Sequence, residues 1–208
     1  QHLPVEQAIT VGIDSSASPY QVGDFTRADN ANLQQMRGWR WDEQNTRYVC
    51  PFASCPICGN ELAVQQTAPR AIYCINCGER HPFILYAKEQ FQTAPPDVLV
   101  ATTESLNNRL MNSQYQMLFG DPDFGPPAIL MLDEIHLQSS TKGSQIALLL
   151  RRLAARIQQA REEYPGVPAL MMVGLSATIA QPKSFFSDLT GLTSSVIELV
   201  EPQDDELE

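Results

Sequence analysis

The stretch AILMLDEIH, residues 128–136, is the part of the sequence that best indicates the fold. Its first five residues are apolar and have the length of a buried β-strand, and Asp133 and Glu134 follow directly. A strand that ends in two carboxylates places them at the carboxyl edge of a sheet, where α/β proteins bind ligands. Taken alone, the same pattern also fits a strand that ends in a solvated acidic turn.

Two further predicted strands also end in polar residues. Residues 97–101 are followed by two threonines, and residues 170–175 by a Ser-Ala-Thr triplet. The hydroxyl side chains concerned are Thr102, Thr103, Ser176 and Thr178. Since the carboxyl ends of parallel strands share one sheet edge, hydroxyls there can hydrogen-bond to the acidic loop on a neighbouring strand. His136 is a second group that can link the acidic loop to a neighbouring element.

The pattern of the whole chain predicts the α/β class. Strands are expected at residues 8–13, 97–101, 128–132, 169–175 and 196–200, and helices at residues 104–118, 144–161 and about 182–190. Ser144 is the expected cap of the second helix, and residues 164–166 are expected to stop it. Residues 14–42 are predicted to be mostly loop, with room for a short helix near residues 30–37. Continuous apolar strands that alternate with amphipathic helices favour a parallel sheet covered on both faces.

All five cysteines lie between residues 46 and 94, where the aliphatic pattern predicts little apolar core. Four of them form two C-x-x-C-G knuckles fifteen residues apart: Cys55, Cys58, Cys74 and Cys77. This spacing suits a zinc ribbon, because two intervening residues let both sulfurs of a pair face one ion. The alternative is a pair of disulfides or unrelated buried thiols. Cys50 could replace Cys55 as a ligand, but it is interpreted as a spare thiol; His81 is interpreted as a solvated residue or an alternate ligand.

Composition limits the kind of protein. The 208 residues carry a formal net charge of −10, and five acidic side chains lie in the last eight residues, so a large nucleic-acid surface is not indicated. The apolar runs are too short to span a bilayer, and the start lacks the pattern of a signal peptide. We therefore expect a cytoplasmic location and no membrane partner. Because the first residue is Gln, the chain is interpreted as a piece of a longer protein or as a processed chain.

The three strand-end clusters together resemble motifs of superfamily 2 helicases. The segment PDVLVATTESL (residues 96–106) resembles motif Ib, the strand with DEIH resembles motif II of the DEAD/DEAH type, and the strand with GLSAT resembles motif III. The resemblance covers about residues 95–192, and weakly the strand near residues 8–13. It implies part of a RecA-like first motor domain, with a zinc ribbon inserted before residue 95. A motor domain with a zinc ribbon inserted at this position also resembles large bacterial helicases of anti-phage defence and DNA repair.

The resemblance implies a role for each motif residue. Asp133 would hold Mg²⁺ with ATP, Glu134 would activate the hydrolytic water, and His136, Ser176 and Thr178 would couple hydrolysis to movement. Contact with the nucleic-acid backbone is implied for Thr102, Thr103 and Arg109. The implied partners are nucleic acid, with DNA favoured over RNA, the remaining helicase domains, and other subunits of a defence or repair complex. Residues 1–45 and 95–200 would form the motor, residues 46–94 the zinc ribbon and residues 201–208 an acidic tail.

The sequence departs from the helicase pattern in one respect. The phosphate-binding motif G-x-x-x-x-G-K-[ST] is absent, as is a second motor domain, so the chain alone is not expected to hydrolyse ATP well. The alternative function is a non-catalytic zinc-ribbon scaffold or nucleic-acid-binding module on a degenerate motor domain. Glu134 separates the two readings, because a degenerate domain commonly loses this carboxylate. A P-loop ATPase outside the helicases is disfavoured by the Ser-Ala-Thr triplet.

Overall fold

The computed structural model describes residues 9–20, 38–66, 71–93, 95–120, 124–138, 140–163, 166–177 and 179–201, without the side chains of Ser140 and Thr141. The expected helix near residues 30–37, the acidic tail after residue 201 and Thr178 therefore lie outside the described residues. The chain divides into two compact units, Gln1–Leu118 and Phe119–Glu208. Within the described part, no helix is long and apolar enough to cross a bilayer.

Among its described residues, the first unit contains seven strands and one α-helix. They are β1 (Val11–Asp14), β2 (Arg40–Asp42), β3 (Arg47–Ser54), β4 (Glu61–Gln65), β5 (Tyr73–Cys74), β6 (Ile84–Leu85), β7 (Val98–Ala101) and α1 (Thr103–Met111). Strands β6, β1 and β7 form a parallel sheet in that order, with Val11 opposite both Ile84 and Val98. The strands expected at residues 8–13 and 97–101 thus correspond to β1 and β7, and the predicted parallel pairing is confirmed.

The second sheet of this unit is antiparallel, in the order β2-β3-β4-β5. It begins at Arg40, ahead of the cysteine-rich segment, and it packs around an apolar cluster. The cluster includes Trp39, Tyr48, Leu62, Val64, Ile72 and Tyr86. The expectation of little core was wrong, because aromatic side chains and short strands supply the apolar contacts that aliphatic periodicity does not reveal. The cluster also includes Ile84 of β6, so the two sheets of this unit share it.

Helix α1 is shorter than expected. The α-helix ends at Met111, and a 3₁₀ segment, Ser113–Phe119, follows. Between them Asn112 has an extended backbone, and its side-chain oxygen accepts a hydrogen bond from the Gln114 N–H at 3.0 Å. Because asparagine side chains compete in this way for backbone donors, they favour helix ends over helix interiors.

The second unit contains β8 (Ile129–Leu132), α2 (Ser140–Glu163), β9 (Met171–Gly174) and α3 (Pro182–Thr190). Strands β8 and β9 are parallel, with Leu130 opposite Met172. Both expected strands and the helix at residues 182–190 are confirmed. Helix α2 begins at Ser140, so Ser144 lies inside it and is not its cap. The apolar face starts only at Ile146, and periodicity therefore gave no signal for the polar first turn.

The strand expected at residues 196–200 is wrong. A 3₁₀ turn occupies Ser194–Val196, and residues 197–201 have no regular secondary structure. Val196 is 67% exposed and Val200 is 87% exposed. β-Branched residues form strands where a neighbouring strand and a buried face support them, and among the described residues none pairs with this segment.

The core of the second unit lies between its strands and helices. Ile135, Ile146, Leu150, Phe186 and Leu189 are buried there, and Leu130, Leu132 and Met172 pack against them from the strands. The alternate strand residues, Ile129, Met131 and Met171, are exposed. The α/β class with parallel strands and helices is therefore confirmed, and the helices of this unit position the loops that follow β8 and β9.

Candidate functional site

The two cysteine knuckles have the same backbone geometry. In the first, the Gly59 N–H donates to the Cys55 carbonyl at 2.8 Å; in the second, the Gly78 N–H donates to the Cys74 carbonyl at 3.1 Å. Both glycines have φ = +72°. This left-handed conformation strains any residue with a Cβ, so glycine is required for the chain to turn back beneath the sulfurs.

The four sulfurs of Cys55, Cys58, Cys74 and Cys77 lie within 4.8 Å of one another. The Sγ atoms of Cys58 and Cys74 are 3.4 Å apart, and those of Cys55 and Cys77 are 3.8 Å apart. Tetrahedral zinc with bonds of about 2.3 Å separates its sulfurs by about 3.8 Å, whereas a disulfide bond measures about 2 Å. The cysteines are free thiols, and the four could bind a metal such as zinc.

Backbone and amide N–H groups surround the sulfurs. The N–H groups of Asn76 and Cys77 lie 3.4 Å and 3.5 Å from Cys74 Sγ, and the Asn60 side-chain amide lies 3.5 Å from Cys58 Sγ. The backbone N–H of Asn60, followed by its side chain and Cys74, lowers the pKa of Cys58 to about 6. Donors that stabilise thiolates are what a metal-binding thiol needs, because the thiolate is the ligand.

Cys50 has a different environment. It is 7% exposed and belongs to the apolar cluster around Trp39 and Tyr86. Burial raises the pKa of Cys50 to about 11, which keeps it a neutral thiol. It is not a member of the group of four sulfurs. The structure therefore places Cys50 in the core, where it packs as a small apolar side chain.

The acidic loop directly follows β8. Asp133 and Glu134 are exposed, and Glu134 has left-handed backbone angles of φ 48° and ψ 46°. The Ile135 N–H then donates to the Leu175 carbonyl at 3.1 Å, and the Leu175 N–H donates to the Leu132 carbonyl at 2.8 Å. These hydrogen bonds hold the loops after β8 and β9 side by side, while the buried Ile135 anchors the acidic loop in the core.

Three of the predicted site residues meet at this edge. The Nδ1 atom of His136 lies 3.0 Å from Ser176 Oγ and 3.2 Å from a carboxylate oxygen of Glu134. Asp133 is adjacent, and its Oδ1 accepts the Glu134 N–H at 2.9 Å. Gly174 of β9 leaves room for the side chains of Ile135 and Phe186: a Cβ there would lie 2.8 Å from Ile135 Cδ1 and 2.7 Å from Phe186 Cε2.

The residues expected to touch nucleic acid fall into two groups. Thr102 caps α1 by accepting the Ser105 N–H at 3.2 Å, and Thr103 is the first residue of that helix; both are exposed. Arg109 is buried instead. Its guanidinium donates to Asp14 at 2.8 Å and 3.1 Å and lies 4.1 Å above the centre of the Tyr115 ring. In this arrangement Arg109 is engaged inside the unit and does not face solvent.

Sequence reasoning missed Asp14 as the partner of Arg109. Asp14 is the last residue of β1 and is fully buried, with both carboxylate oxygens bound by the guanidinium. Its position could have indicated a role, because Asp14 lies at the end of an apolar strand and Asp133 directly follows one. It also missed Lys88, which is 9% exposed with its ammonium 4.2 Å above the ring of Tyr20.

Comparisons with known proteins give one sequence relative and one solved structure. No family model matches the chain. The chain is 30% identical over 115 residues to Druantia protein DruE of Escherichia coli (strain UMEA 4076-1), which is 52% of this chain and 6% of that protein. The chain thus spans a small part of the length of this relative. The crystal structure of the DUF1998 helicase MrfA superposes with a TM-score of 0.42 at 14% identity, covering 88% of this chain and 22% of MrfA. That TM-score is too low to establish a shared fold.

Proposed function

We propose that the chain is part of the motor of an ATP-dependent helicase or translocase that acts on nucleic acid. The observation that carries the proposal is the cluster of Glu134, His136 and Ser176 where two neighbouring parallel strands end. Ligands bind at this edge in open α/β sheets. The resemblance of DEIH, GLSAT and residues 96–106 to helicase motifs supplies the reaction, and the geometry supports it by bringing the second and third of these motifs into contact.

Each residue has a stated role in the proposal. Asp133 would hold Mg²⁺, which neutralises charge on the transferred phosphoryl group when ATP is bound. Glu134 would orient and activate the attacking water, and its carboxylate is exposed next to Asp133 for that purpose. His136 would transmit a change at Glu134 during ATP hydrolysis to Ser176, through the 3.0 Å contact between His136 Nδ1 and Ser176 Oγ. Thr178, two residues after Ser176 in the sequence, is proposed to share this coupling role.

The nucleic-acid surface is proposed at the start of α1. Thr102 and Thr103 are exposed there, and hydroxyls and N–H groups at a helix start can bind backbone phosphates. DNA is proposed ahead of RNA. Arg109 was predicted for the same contact, but the guanidinium is occupied by Asp14, so its proposed contribution is to hold α1 against β1.

The wider assignment is also a proposal. We propose that residues 1–45 and 95–200 belong to the motor, that residues 46–94 carry the zinc site, and that the phosphate loop and the second motor domain come from other parts of a longer protein. Similarity to DruE over a small part of that relative's length supports a longer parent protein. The parent is proposed to be a bacterial defence or DNA-repair helicase located in the cytoplasm, with other subunits as partners.

Replacement of Glu134 by Gln in the complete protein tests the proposal. Glu134→Gln keeps the shape of the side chain but removes the carboxylate that activates water, so ATP turnover should fall by at least about 100-fold, the usual contribution of a general base. Binding of a fluorescent ATP analogue should persist, because Asp133 remains. Steady-state phosphate release and the binding titration measure the two effects.

The matched control is Glu162→Gln, which makes the same change on the exposed face of α2. That variant should turn over ATP at the wild-type rate. Wild-type turnover by Glu134→Gln would overturn the motor assignment and would favour the scaffold alternative.

A further inference from the structure

Three of the four ligand sulfurs receive N–H groups from their own knuckles. Cys74 Sγ has the backbone N–H groups of Asn76 and Cys77, and Cys58 Sγ has the side-chain amide of Asn60. Cys77 has the backbone N–H of Glu79. Each of these donors lies within three residues of its cysteine, and Cys58 Sγ also has the side-chain amide of Asn76 from the other knuckle, at 3.9 Å.

The nitrogen close to Cys55 Sγ comes from a distant part of the chain. Cys55 is 2% exposed, and the nitrogen that approaches its Sγ, at 3.5 Å, is Nε2 of His81, 26 residues along the chain. His81 is 1% exposed, so its interpretation as a solvated residue was wrong. A buried imidazole aimed at a buried sulfur is a long-range contact that the knuckle turn does not produce by itself.

The position of His81 is fixed by the surrounding backbone. Its N–H donates to the Ile72 carbonyl at 2.9 Å, and its carbonyl accepts the Ile84 N–H at 3.1 Å. The ring of Phe83 packs edge-on at 5.4 Å between centroids. These contacts connect the imidazole to β6 on one side and to the segment before β5 on the other.

The positions of the ligand atoms favour a hydrogen-bonding role for His81 over direct coordination of the metal. The ligand atoms that gather within 4.8 Å of one another are the four cysteine sulfurs, and no His81 nitrogen belongs to that group. Four thiolates complete the tetrahedral coordination of zinc. The His81 nitrogens therefore lie outside this group, although Nε2 is 3.5 Å from Cys55 Sγ.

We propose that His81 is a positioning residue of the metal centre, whose Nε2–H donates a hydrogen bond to the Cys55 thiolate. The proposal rests on the metal site described above. Four thiolates around a divalent ion leave a net charge of −2, and N–H donors to the sulfurs offset that excess. His81 supplies this donor to Cys55 and orients its sulfur toward the ion.

Two substitutions at His81 in the complete protein test the proposal. His81→Leu removes the donor but keeps an apolar side chain of similar bulk, and His81→Gln returns an N–H to about the same distance from the backbone. Loss of an outer-shell hydrogen bond typically weakens metal affinity by about 10- to 100-fold. We expect that loss for His81→Leu and recovery of most of it for His81→Gln, measured for Zn²⁺ in competition with a chromogenic chelator.

Cobalt spectroscopy on the same proteins identifies the ligands. With Co²⁺ in place of zinc, and the Cys55→Ser/Cys74→Ser protein as the blank, wild type and both variants should give the charge-transfer and d–d bands of four thiolates. Equal zinc affinity of wild type and His81→Leu would overturn the positioning role while leaving the metal site intact. A wild-type spectrum of three sulfurs and one nitrogen would overturn it in favour of a ligand role. Failure of wild type to bind either metal would overturn both.

A measurement on the unaltered protein covers the case in which His81→Leu does not fold. With ¹⁵N-labelled histidine and bound ¹¹³Cd²⁺, the His81 Nε2 should carry a proton, and that proton should show a small coupling to cadmium through the sulfur. An Nε2 without a proton would contradict the proposal.

Discussion

Arg109 and Asp14 form a buried ion pair that joins α1 to the end of β1. The side chains are 8% and 0% exposed, and two N–H groups of the guanidinium bind the two carboxylate oxygens. The Thr102 N–H also donates to the Asp14 carbonyl, at 3.4 Å. The start and the middle of α1 are thereby both fastened to one strand-end residue.

Arg109→Met should destabilise the first unit by about 3–5 kcal/mol, because it leaves the Asp14 carboxylate buried without a partner. The measurement is urea denaturation of variant and wild type at neutral pH. The double variant Arg109→Met/Asp14→Leu is the control, since replacing both charges by apolar groups should recover much of the loss. If Arg109→Met unfolds at the wild-type urea concentration, the pair does not hold α1.

At the level of single residues, the sequence identified the residues of the candidate sites but not the long-range contacts between side chains. The four cysteines of the candidate metal site were identifiable because their spacing is local, and the structure brings their sulfurs together. The acidic pair and Ser176 were identifiable because each follows an apolar strand. The Asp14–Arg109 pair and the His81–Cys55 contact were not, because they join residues 95 and 26 positions apart whose approach depends on sheet order.

At the level of elements, the antiparallel sheet of β2 to β5 and the two cysteine knuckles form one module. The apolar cluster and the four sulfurs lie in the same segment: Cys74 ends β5, and Cys55 and Cys74 also belong to the cluster. Strand order within this sheet, and the pairing of β6 with β1, could not be read from periodicity, because β5 and β6 each contain two residues. Patterns need longer elements to become visible.

Cys55→Ser with Cys74→Ser should release about one metal ion per chain, because the change removes one ligand from each knuckle of a single four-sulfur site. Elemental analysis after dialysis measures the metal content against a standard. Cys50→Ser provides the matched control: it also replaces a buried thiol by a hydroxyl, but outside the group of four sulfurs, so its metal content should equal that of wild type. Absence of metal from the wild-type protein would refute the site.

At the level of the whole molecule, each unit holds parallel strands together with a candidate site. In the first unit, the candidate metal site is connected to β1 through shared core residues and the β6–β1 pairing, and β1 is connected to α1 through the Asp14–Arg109 ion pair. In the second, the acidic loop and the Ser-Ala-Thr loop meet where β8 and β9 end. The α/β class was predictable from alternating strands and helices, whereas the division into these units was not.

Removal of the metal should loosen the parallel sheet of the first unit. The Val11 N–H donates to the Phe83 carbonyl at 2.9 Å, two residues beyond His81, so the metal site and β1 are linked through one short segment. Ligands that bind the folded state stabilise it, and their removal reverses this. Amide hydrogen exchange should therefore quicken at Val11 after chelation and slow again when Zn²⁺ is restored. In the Cys55→Ser/Cys74→Ser protein, chelation should change nothing; unaltered exchange in the wild type would show that β1 is independent of the metal.

The pairing of β6 with β1 also limits which residues can be deleted without exposing an edge of the parallel sheet. Strand β6 lies within residues 46–94, yet its hydrogen bonds belong to the parallel sheet. A deletion that removed the whole cysteine-rich segment would take away the neighbour of β1 and leave main-chain groups unpaired along that edge, a known route to aggregation. A transplant or deletion of the metal-binding portion should therefore end before Phe83, so that the shortened protein keeps its edge strand and the hydrogen bond from the Val11 N–H to the Phe83 carbonyl.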